Sequence, residues 1–298
     1  MKTIKKILKK TFLYKPLLGI KNGIIHTFYP FGYIRNYVLF PIAGFLRINH
    51  IPPFYNQYKY IDDIRDKYKG KRCFIIATGP SLRMQDVERL ENEITIGMNS
   101  FYRIYDKTQF RPTFYVTLDP DVQSALWKNY HGNVGGLAKE MVFMNSIVKE
   151  RAKGVNYLPY CYQNHWFKIF TKDFDYAKNL KFTKDLLFGI YDKYTITNAA
   201  IDLAIHLGCK EIYLIGVDCN YSGPTQYFVN PGSGTHDMNQ YEAYCTQKAM
   251  MTGYRFMEQE TKKIGVKVYN ATRGGMLEEF ERIDFDEVIA RKMMNQES

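Results

Sequence analysis

The sequence predicts an α/β protein built around a mostly parallel, doubly wound sheet. From Lys71 onward, apolar runs of four to eight residues alternate with stretches of helical periodicity, as expected for buried parallel strands joined by helices. Gly208 and Gly265 follow two predicted helices, at positions where a left-handed residue commonly ends a helix. The predicted architecture is therefore Rossmann-like, with helices covering both faces of the sheet.

The predicted elements follow one another along this domain. Three strands come first and two shorter strands follow; then come a helix, a strand, a long helix and a last strand. The predicted strands are Cys73–Ala77, Ile94–Met98, Phe114–Leu118, Met141–Met144, Val155–Leu158, Glu211–Val217 and Val266–Tyr269. The predicted helices are Asn198–Leu207 and Tyr241–Ile264. The stretch 160–195, dense in Phe, Tyr and Lys, is predicted to be a lid-like insertion over the cleft.

The positive charge of the protein is concentrated at its N-terminus. Residues 1–60 contain ten lysines and arginines and no acidic residue. Taking those ten from the chain's 41 basic residues leaves 31, against 30 acidic residues, so residues 61–298 are nearly neutral. A nucleic-acid-binding protein usually spreads its basic surface over the folded domain. We therefore expect an anionic membrane surface, and no nucleic acid, as the partner of this charge.

Residues 1–60 are predicted to form a membrane-associating segment ahead of a catalytic domain at 61–298. In residues 1–15, apolar side chains recur at helical spacing between lysines, which is typical of an amphipathic helix in a membrane interface. Residues 36–46 carry no charge but are too few to span a bilayer, which needs about 20 residues. Residues 17–50 are expected either to dock on the membrane or to pack on the domain as a helical extension, and the pattern favours neither.

The five cysteines are scattered and lack any CxxC spacing. This distribution indicates a reducing compartment and no thiolate metal site. Together with the basic segment, it predicts a cytoplasmic protein attached peripherally to the inner face of the cytoplasmic membrane. The sequence leaves the oligomeric state open, a homo-oligomer included.

The strongest local motif is Gly79-Pro80-Ser81-Leu82, directly after the first predicted strand. Gly79 lets backbone approach a ligand, Pro80 can begin a helix, and Ser81 is a favoured helix cap. The motif is thus expected to present free N–H groups at a helix N-terminus, where a phosphate would bind. A tight strand-to-helix turn is the alternative, because the motif is neither a dinucleotide-binding nor a Walker sequence.

Three further strand ends carry polar residues. The second strand is followed by Asn99, the third by Asp119-Pro120-Asp121, and the strand at 211–217 by Asp218. An Asp-x-Asp pair can hold a divalent metal, but Asp-Pro is also an ordinary turn, and a turn or a direct ligand contact is favoured over a metal. Asp218 can accept hydrogen bonds from a ribose or a base; a capping role is equally compatible with its position.

A glycine-rich loop at 232–237 contains His236. Because an imidazole titrates near neutral pH, this histidine is a candidate general base, although a lone loop histidine is more often a surface residue. Tyr221 follows Asp218 and can stack on a ring or donate to a phosphate. The sequence contains no hydrolase elbow, HExxH motif, zinc-binding cysteine pattern or kinase motif set.

Taken together, these residues resemble the bacterial sialyltransferases of glycosyltransferase family 42. They are also similar to the domain shared by Maf flagellin glycosyltransferases and MptE-like pterin pyrophosphokinases. The resemblance covers about residues 71–280 and rests on Gly79-Pro80-Ser81-Leu82, Asn99, Ile196-Thr197-Asn198, the stretch from Gly208 to Asp218, and His236. The ending Asn270-Ala271-Thr272 to Gly274-Gly275 is more similar to the second group.

The resemblance implies an inverting, metal-independent transfer from a CMP-sugar type of donor, with no cofactor. Gly79, Pro80 and Ser81 would face the donor phosphate, and Asn99 and Asp119 the nucleotide or the sugar. The remaining implied roles belong to Thr197 and Asn198 at the donor sugar, Gly216 and Asp218 at the cytidine, Tyr221 and Tyr227 at the departing phosphate, and His236 as the general base. Tyr194 and Thr195 stand where the sialyltransferases have an arginine.

The sequence therefore predicts a bacterial glycosyltransferase that moves a sialic acid-like or other CMP-activated sugar to a glycan or glycolipid in envelope polysaccharide synthesis. Two alternatives stay open. The first is an MptE-like pyrophosphokinase acting on a pterin, which would use magnesium at Asp119 and Asp121. The second is a non-catalytic scaffold in polysaccharide assembly. The basic N-terminus argues against the first, because a soluble pterin gives no reason for membrane attachment.

Overall fold

The computed structural model describes residues 31–145, 152–164, 175–220 and 240–296. Within these ranges, eight parallel strands form one sheet in the order β10-β9-β8-β1-β2-β3-β4-β5, and β6 and β7 form a separate parallel pair. The strands are β1 (Arg72–Ile76), β2 (Ile94–Met98), β3 (Phe114–Thr117), β4 (Met141–Asn145), β5 (Asn156–Leu158), β6 (Tyr160–Cys161), β7 (Ile190–Tyr191), β8 (Glu211–Ile215), β9 (Lys267–Asn270) and β10 (Glu281–Arg282). The predicted fold class is thus confirmed.

Helices pack on both faces of this sheet. The described α-helices are α1 (Phe40–Ile48), α2 (Lys59–Asp63), α3 (Met84–Glu88), α4 (Pro120–Asn129), α5 (Ile196–His206), α6 (Gln240–Lys263) and α7 (Phe285–Gln296). A π-helix at Ile34–Leu39 leads into α1, and a 3₁₀-helix at Asn99–Ile104 follows β2. None of the helices in the described ranges is long and apolar enough to cross a membrane.

The central strand β1 contributes to two hydrophobic cores, one on each face of the sheet. Cys73 and Ile75 point into the core that contains most of α5, whereas Phe74 and Ile76 point into the core covered by α7. All four side chains are fully buried. A strand buried on both faces needs a continuous apolar run rather than alternation, which explains why this strand could be predicted from the sequence.

Helix α1 packs against the domain through Phe40, Gly44 and Arg47. The guanidinium of Arg47 is buried and donates to the carbonyl oxygens of Leu187 and Phe188, each at 2.6 Å. Gly44 lies so close to Phe188 that an added Cβ would be 2.8 Å from its carbonyl oxygen. Residues 31–48 therefore form a helical extension attached to the domain, as one of the two sequence interpretations predicted.

The predicted insertion at 160–195 is described except for residues 165–174. Its first part contains β6 and its last part β7. Leu186, Leu187 and Ile190 are fully buried in the core that also contains α5. This last part therefore belongs to the core of the domain; its role as a lid stays a prediction.

Candidate functional site

The candidate site begins where β1 and β8 lie side by side. From β1 the chain builds β2 to β5 on one side, and it later returns to build β8 to β10 on the other side. In open α/β sheets, ligands bind outside the carboxyl ends of the strands at such a reversal of strand order. The two loops at this point are 77–82 after β1 and 216–218 after β8.

The two loops are joined by the side chains of Ser81 and Asp218. The Ser81 hydroxyl donates to Asp218 Oδ2 at 2.8 Å, and the Ser81 backbone N–H donates to the same oxygen at 3.3 Å. Asp218 is 92% buried, since only 8% of its surface is exposed. The carboxylate is therefore held in one orientation at the switch point.

Two glycines make room for this carboxylate. A Cβ on Gly79 would overlap Asp218 Oδ2, and a Cβ on Gly275 would lie 2.5 Å from the Asp218 backbone. The Gly79 N–H donates to the Gly216 carbonyl at 2.8 Å, and the Met276 N–H donates to the Asp218 carbonyl at 2.7 Å. Any larger residue at position 79 or 275 would push Asp218 out of place.

The expectation of free N–H groups at a helix N-terminus is wrong for this loop. The amides of Gly79 and Ser81 are already donated within the protein, to Gly216 and Asp218. Helix α3 begins only at Met84, with Arg83 as a cap that makes no side-chain hydrogen bond. The sequence could not reveal this, because the anion that the loop holds is a carboxylate 137 residues away in the chain.

The end of β2 brings Asn99 to the same edge of the sheet. Its backbone is left-handed, with φ of 45°, and its carbonyl oxygen accepts a hydrogen bond from the Tyr115 hydroxyl. The Thr117 hydroxyl donates to Asn99 Oδ1 at 3.1 Å. This bond holds the side-chain amide of Asn99 in one orientation.

Asp119 at the end of β3 caps helix α4. Its Oδ1 accepts hydrogen bonds from the backbone N–H groups of Asp121 at 2.8 Å and Val122 at 3.4 Å. Pro120 occupies the first turn of the helix, where a missing N–H costs nothing. Asp-Pro-Asp thus starts a helix, which differs from the isolated turn that the sequence favoured. Among the described residues, no group of three or more His, Cys, Asp or Glu could hold a metal ion.

The N-terminus of α5 brings Thr197 and Asn198 behind this edge. Thr195 is the N-cap and accepts from the Thr197 N–H at 3.3 Å. The Thr197 hydroxyl contacts Met98 Sδ at 3.8 Å, at the end of β2. Asn198 is fully buried and donates to the Lys193 carbonyl at 2.9 Å. Both predicted donor-sugar residues therefore have partners inside the protein.

Tyr254 of α6 connects the residue after Asp218 to the start of α5. Its hydroxyl lies 3.4 Å from Thr195 Oγ1 and is hydrogen-bonded to the thiol of Cys219, the residue after Asp218. Ser81 is thus bonded to Asp218, and the next residue, Cys219, is connected through Tyr254 to the start of α5. The sequence offered no signal for Tyr254, because a tyrosine inside a long amphipathic helix is indistinguishable from a core residue.

A buried ion pair supports the start of α5 from below. Lys193 Nζ lies 2.5 Å from Asp202 Oδ2, and the two side chains are 1% and 0% exposed. Nζ also donates to the Tyr191 carbonyl at 3.1 Å. Burial raises the pKa of Asp202 to about 6, although the ammonium of Lys193 opposes this rise. The sequence contains no signal for this pair, since its partners are nine residues apart in regions predicted as loop and helix.

The three residues predicted to carry the transfer chemistry, His236, Tyr221 and Tyr227, lie outside the described residues. His206 is a structural residue at the end of α5. Its ring accepts from the Leu186 N–H at 3.3 Å and its Nε2 contacts the Ile61 carbonyl at 2.8 Å. All five cysteines are free thiols.

Comparisons with solved structures find related folds. The Maf glycosyltransferase from Magnetospirillum magneticum AMB-1 matches 78% of this chain and 38% of its own, with a TM-score of 0.46 and 16% identity. The sialyltransferase CstII from Campylobacter jejuni, in complex with a substrate analogue, cytidine-5'-monophosphate, matches 72% of this chain and 87% of its own, with a TM-score of 0.38 and 18% identity. A structure of sialyltransferase CST-II with trisaccharide acceptor and CMP gives the same score and identity.

These structural likenesses concern the fold alone, and the chain spans well under half the length of the Maf protein. No curated protein sequence matches the chain. A family model described as 6-hydroxymethylpterin diphosphokinase MptE-like matches residues 48–224. This range is more than half of the chain and includes both loops of the switch point, and the protein therefore belongs to the MptE-like family.

Proposed function

We propose that this protein is a nucleotide-sugar-dependent glycosyltransferase that binds its donor at the switch point between β1 and β8. The observation that carries the proposal is the junction of Ser81 and Asp218, where a buried, oriented carboxylate meets a glycine-containing loop. Such a carboxylate suits the hydroxyl groups of a ribose. The sequence resemblance described above implies a CMP-sugar type of donor.

Each group at this edge has a role in donor binding. Ser81 occupies Asp218 Oδ2, so Oδ1 is the oxygen that accepts from the nucleoside. Asn99, oriented by Thr117, donates its NH₂ group to the phosphate or the sugar. Pro80 and Gly216 shape the loops, and Asp119 holds the start of α4. Thr197 and Asn198, predicted to contact the donor sugar, are buried and support this edge from behind. No metal takes part in this proposal.

The transfer is an inverting displacement at the anomeric carbon of the donor. The acceptor oxygen forms the new bond, the bond to the phosphate oxygen breaks, and the acceptor proton moves to the imidazole of His236. Tyr221 and Tyr227 donate hydrogen bonds to the phosphate that leaves as CMP. General base catalysis of this kind typically contributes about 100- to 10,000-fold, and oriented donors at the leaving oxygen add further stabilisation.

The acceptor is a glycan or glycolipid of envelope polysaccharide synthesis, and the enzyme works at the inner face of the cytoplasmic membrane. The ten cations and the absence of acids in residues 1–60 support this location, since each cation near an anionic surface contributes about 1 kcal/mol.

The test is a thermal-shift panel of CMP, CDP, UDP, GDP and ATP, each with and without magnesium. We expect CMP alone to raise the melting temperature, with no dependence on magnesium. Ser81→Ala frees the carboxylate of Asp218 and should weaken the CMP shift. Ser124→Ala, within helix α4, is the matched control and should leave the shift unchanged. A shift only with ATP and magnesium would contradict the proposal.

The family model's description favours a second candidate, a magnesium-dependent pterin diphosphokinase. This enzyme would transfer diphosphate from ATP to a hydroxymethylpterin, with Asp119 and Asp121 at the metal. Conversion of ATP to AMP in the presence of 6-hydroxymethylpterin and magnesium would establish it, and its loss in Asp121→Asn would assign the metal site. A scaffold without turnover would show neither reaction.

A further inference from the structure

The N-terminal helical segment exposes an apolar stripe to solvent. Ile34, Val38, Ile42 and Phe45 follow one another at helical spacing and are 46%, 43%, 51% and 58% exposed. Further exposed apolar side chains extend this surface, which we call the apolar face: Leu39, Ile48, Ile51 and Phe54. A soluble monomer rarely exposes contiguous apolar side chains on this scale without a function.

Unlike an ordinary surface helix, this segment exposes apolar side chains and buries two polar ones. Its buried side holds the polar residues Asn36 and Arg47, which are 2% and 5% exposed. Both are hydrogen-bonded there, Asn36 to the Gly32 carbonyl at 2.9 Å and Arg47 to two carbonyls of the domain. Packing on the domain thus uses these two polar residues together with the Phe40 ring, which contacts Tyr191. The exposed part of the apolar face is available to another partner.

The charge of the sequence that contains the apolar face favours an anionic lipid surface as the partner. Arg35 and Lys59 are exposed at its two ends. Residues 1–60 contain ten cations and no acid, and seven of these cations precede the described residues. Apolar side chains flanked by cations are the pattern of proteins that lie in the interface of an anionic bilayer. A second copy of this chain would instead bring two equally basic segments together, at an electrostatic cost.

The buried side of the helical segment, opposite the apolar face, contacts residues next to the carboxyl edge of the sheet. Cys161 at the end of β6 contacts the Asn36 carbonyl at 3.6 Å. Its neighbour Tyr162 donates to the carbonyl of Leu118, the residue after β3, at 3.3 Å, and accepts from Asn145 at 2.7 Å. The helix is thus joined through one dipeptide to the strand end that carries Asp119.

We infer that the apolar face enters the interface of an anionic bilayer and holds the carboxyl edge of the sheet at the lipid surface, so that the acceptor is a membrane-borne glycolipid or lipid-linked glycan. The substrate class rests on the proposed function, because only a transferase has an acceptor. The membrane contact itself rests on the exposed side chains and their charge, and it stands without that function.

The test uses the full chain with Ile42→Glu and Phe45→Glu combined. Both side chains are more than half exposed, so the double variant should fold. Trp127→Glu is the matched control, since Trp127 is 38% exposed on α4. Flotation is measured with vesicles of phosphatidylglycerol and phosphatidylethanolamine and with vesicles of phosphatidylcholine alone. We expect the unaltered protein and the control to float with the anionic vesicles, and the double variant to lose binding at least about tenfold.

Catalysis provides the second measurement. The double variant should keep the thermal shift with CMP, lose transfer to a lipid-linked acceptor, and keep transfer to the same glycan without its lipid. A missing CMP shift in the unaltered protein would count against the proposed function, whereas flotation would still report on the membrane contact. The two failures are therefore distinguishable.

Three results would overturn the membrane contact. The first is equal flotation of the double variant and the unaltered protein. The second is a dimer in sedimentation velocity that the double variant converts to monomer, without any vesicle binding, which would assign the apolar face to a second copy. The third is resistance of Phe45 to hydroxyl-radical labelling without lipid together with no flotation, which would show that another part of the chain covers the face.

Discussion

At the scale of single residues, the orientation of Asp218 depends on the absence of two side chains. Gly79 and Gly275 each approach it more closely than a Cβ would permit. Gly79 does not have a positive φ, so glycine is required there by contact alone, whereas Gly275 has a φ of 80° and is required by both contact and backbone conformation. The Gly-Pro-Ser motif is therefore better explained by the carboxylate that it surrounds than by open amides.

Gly79→Ala should reduce CMP binding at least about tenfold while the protein stays folded, because the new methyl group overlaps the Asp218 carboxylate and such overpacking costs about 1–3 kcal/mol. Gly136→Ala is the control: a Cβ there would meet nothing within 4 Å. Isothermal titration with CMP and circular dichroism of both variants are the measurements. Equal affinities in the two variants would remove Asp218 from the site.

His236→Asn should fold normally and lose most transfer, since an amide can accept a hydrogen bond but cannot take the acceptor's proton at neutral pH. His131→Asn, at an exposed turn position with φ of 48°, is the matched control. For each variant, the initial rate of transfer and the rise in melting temperature caused by CMP are measured. Full activity in His236→Asn would exclude this residue as the general base.

His206 should make the stability of the protein depend on pH. Burial lowers its pKa below the ordinary value of 6.5, so the unfolded chain binds a proton at a pH where the folded protein does not. The free energy of unfolding should therefore fall as the pH drops below about 6.5. Urea unfolding of the protein and of His206→Gln at pH 7.5, 6.5 and 5.5 tests this. Parallel changes in the two proteins would contradict it.

At the scale of elements, helix α5 connects the site to the core. Its first turn lies at the carboxyl edge, and every residue from Thr197 to His206 is buried. The ion pair of Lys193 and Asp202 lies beneath that first turn, and the Lys193 carbonyl holds Asn198. The position of Thr197 and Asn198 thus depends on a polar contact that is inaccessible to solvent.

Asp202→Ala should destabilise the protein by about 3–5 kcal/mol, because it leaves the Lys193 ammonium buried without a counter-charge. Lys193→Met combined with Asp202→Leu should cost less, since no uncompensated charge remains. Urea unfolding at neutral pH gives both values. A double variant as unstable as Asp202→Ala would show that the pair contributes something other than charge compensation.

The predicted strands agree with the observed ones to within two residues at each end, because buried parallel strands have continuous apolar runs. The main differences arise from local polar contacts. Strand β8 ends at Ile215, two residues early, since Gly216 turns the chain with φ of 67°. Helix α5 starts two residues early because Thr195 caps it. Helix α4 was missed, as Asp119-Pro120 begins a helix here rather than an isolated turn.

The sequence predicted those residues of the candidate site that lie at the ends of strands. Gly79, Asn99, Asp119 and Asp218 all lie at the carboxyl edge, as parallel topology requires. Their pairings could not be foreseen, because Ser81 with Asp218 and Thr117 with Asn99 depend on strand order. The roles of His236, Tyr221 and Tyr227 stay predictions.

At the scale of the whole molecule, the net positive charge is concentrated in residues 1–60, ahead of the residues that form the sheet. Residues 1–60 hold ten cations without an acid, while the remainder is nearly neutral. In the membrane contact that we infer, long-range attraction to an anionic surface would therefore act on residues 1–60 rather than on the catalytic edge.

Raising the salt concentration should weaken attachment to anionic vesicles more than it weakens CMP binding. The screening length falls from about 30 Å at 0.01 M to about 3 Å at 1 M, and exposed cations are screened far more than a buried carboxylate. Flotation and CMP titration at several salt concentrations give the two dependences. Salt-independent flotation would show that apolar contact alone holds the protein at the lipid.

The strand order also determines when the candidate site can exist. One neighbour of β1, strand β2, follows it by about twenty residues in the chain. The other neighbour, β8, comes much later and ends at Ile215. A chain emerging from the ribosome therefore carries its loop at 77–82 for more than a hundred residues before Asp218 arrives to fill it. During that interval, one flank of the central strand has no partner, and such long-range pairing is slow to form. The binding edge is consequently among the last features of the domain to be completed.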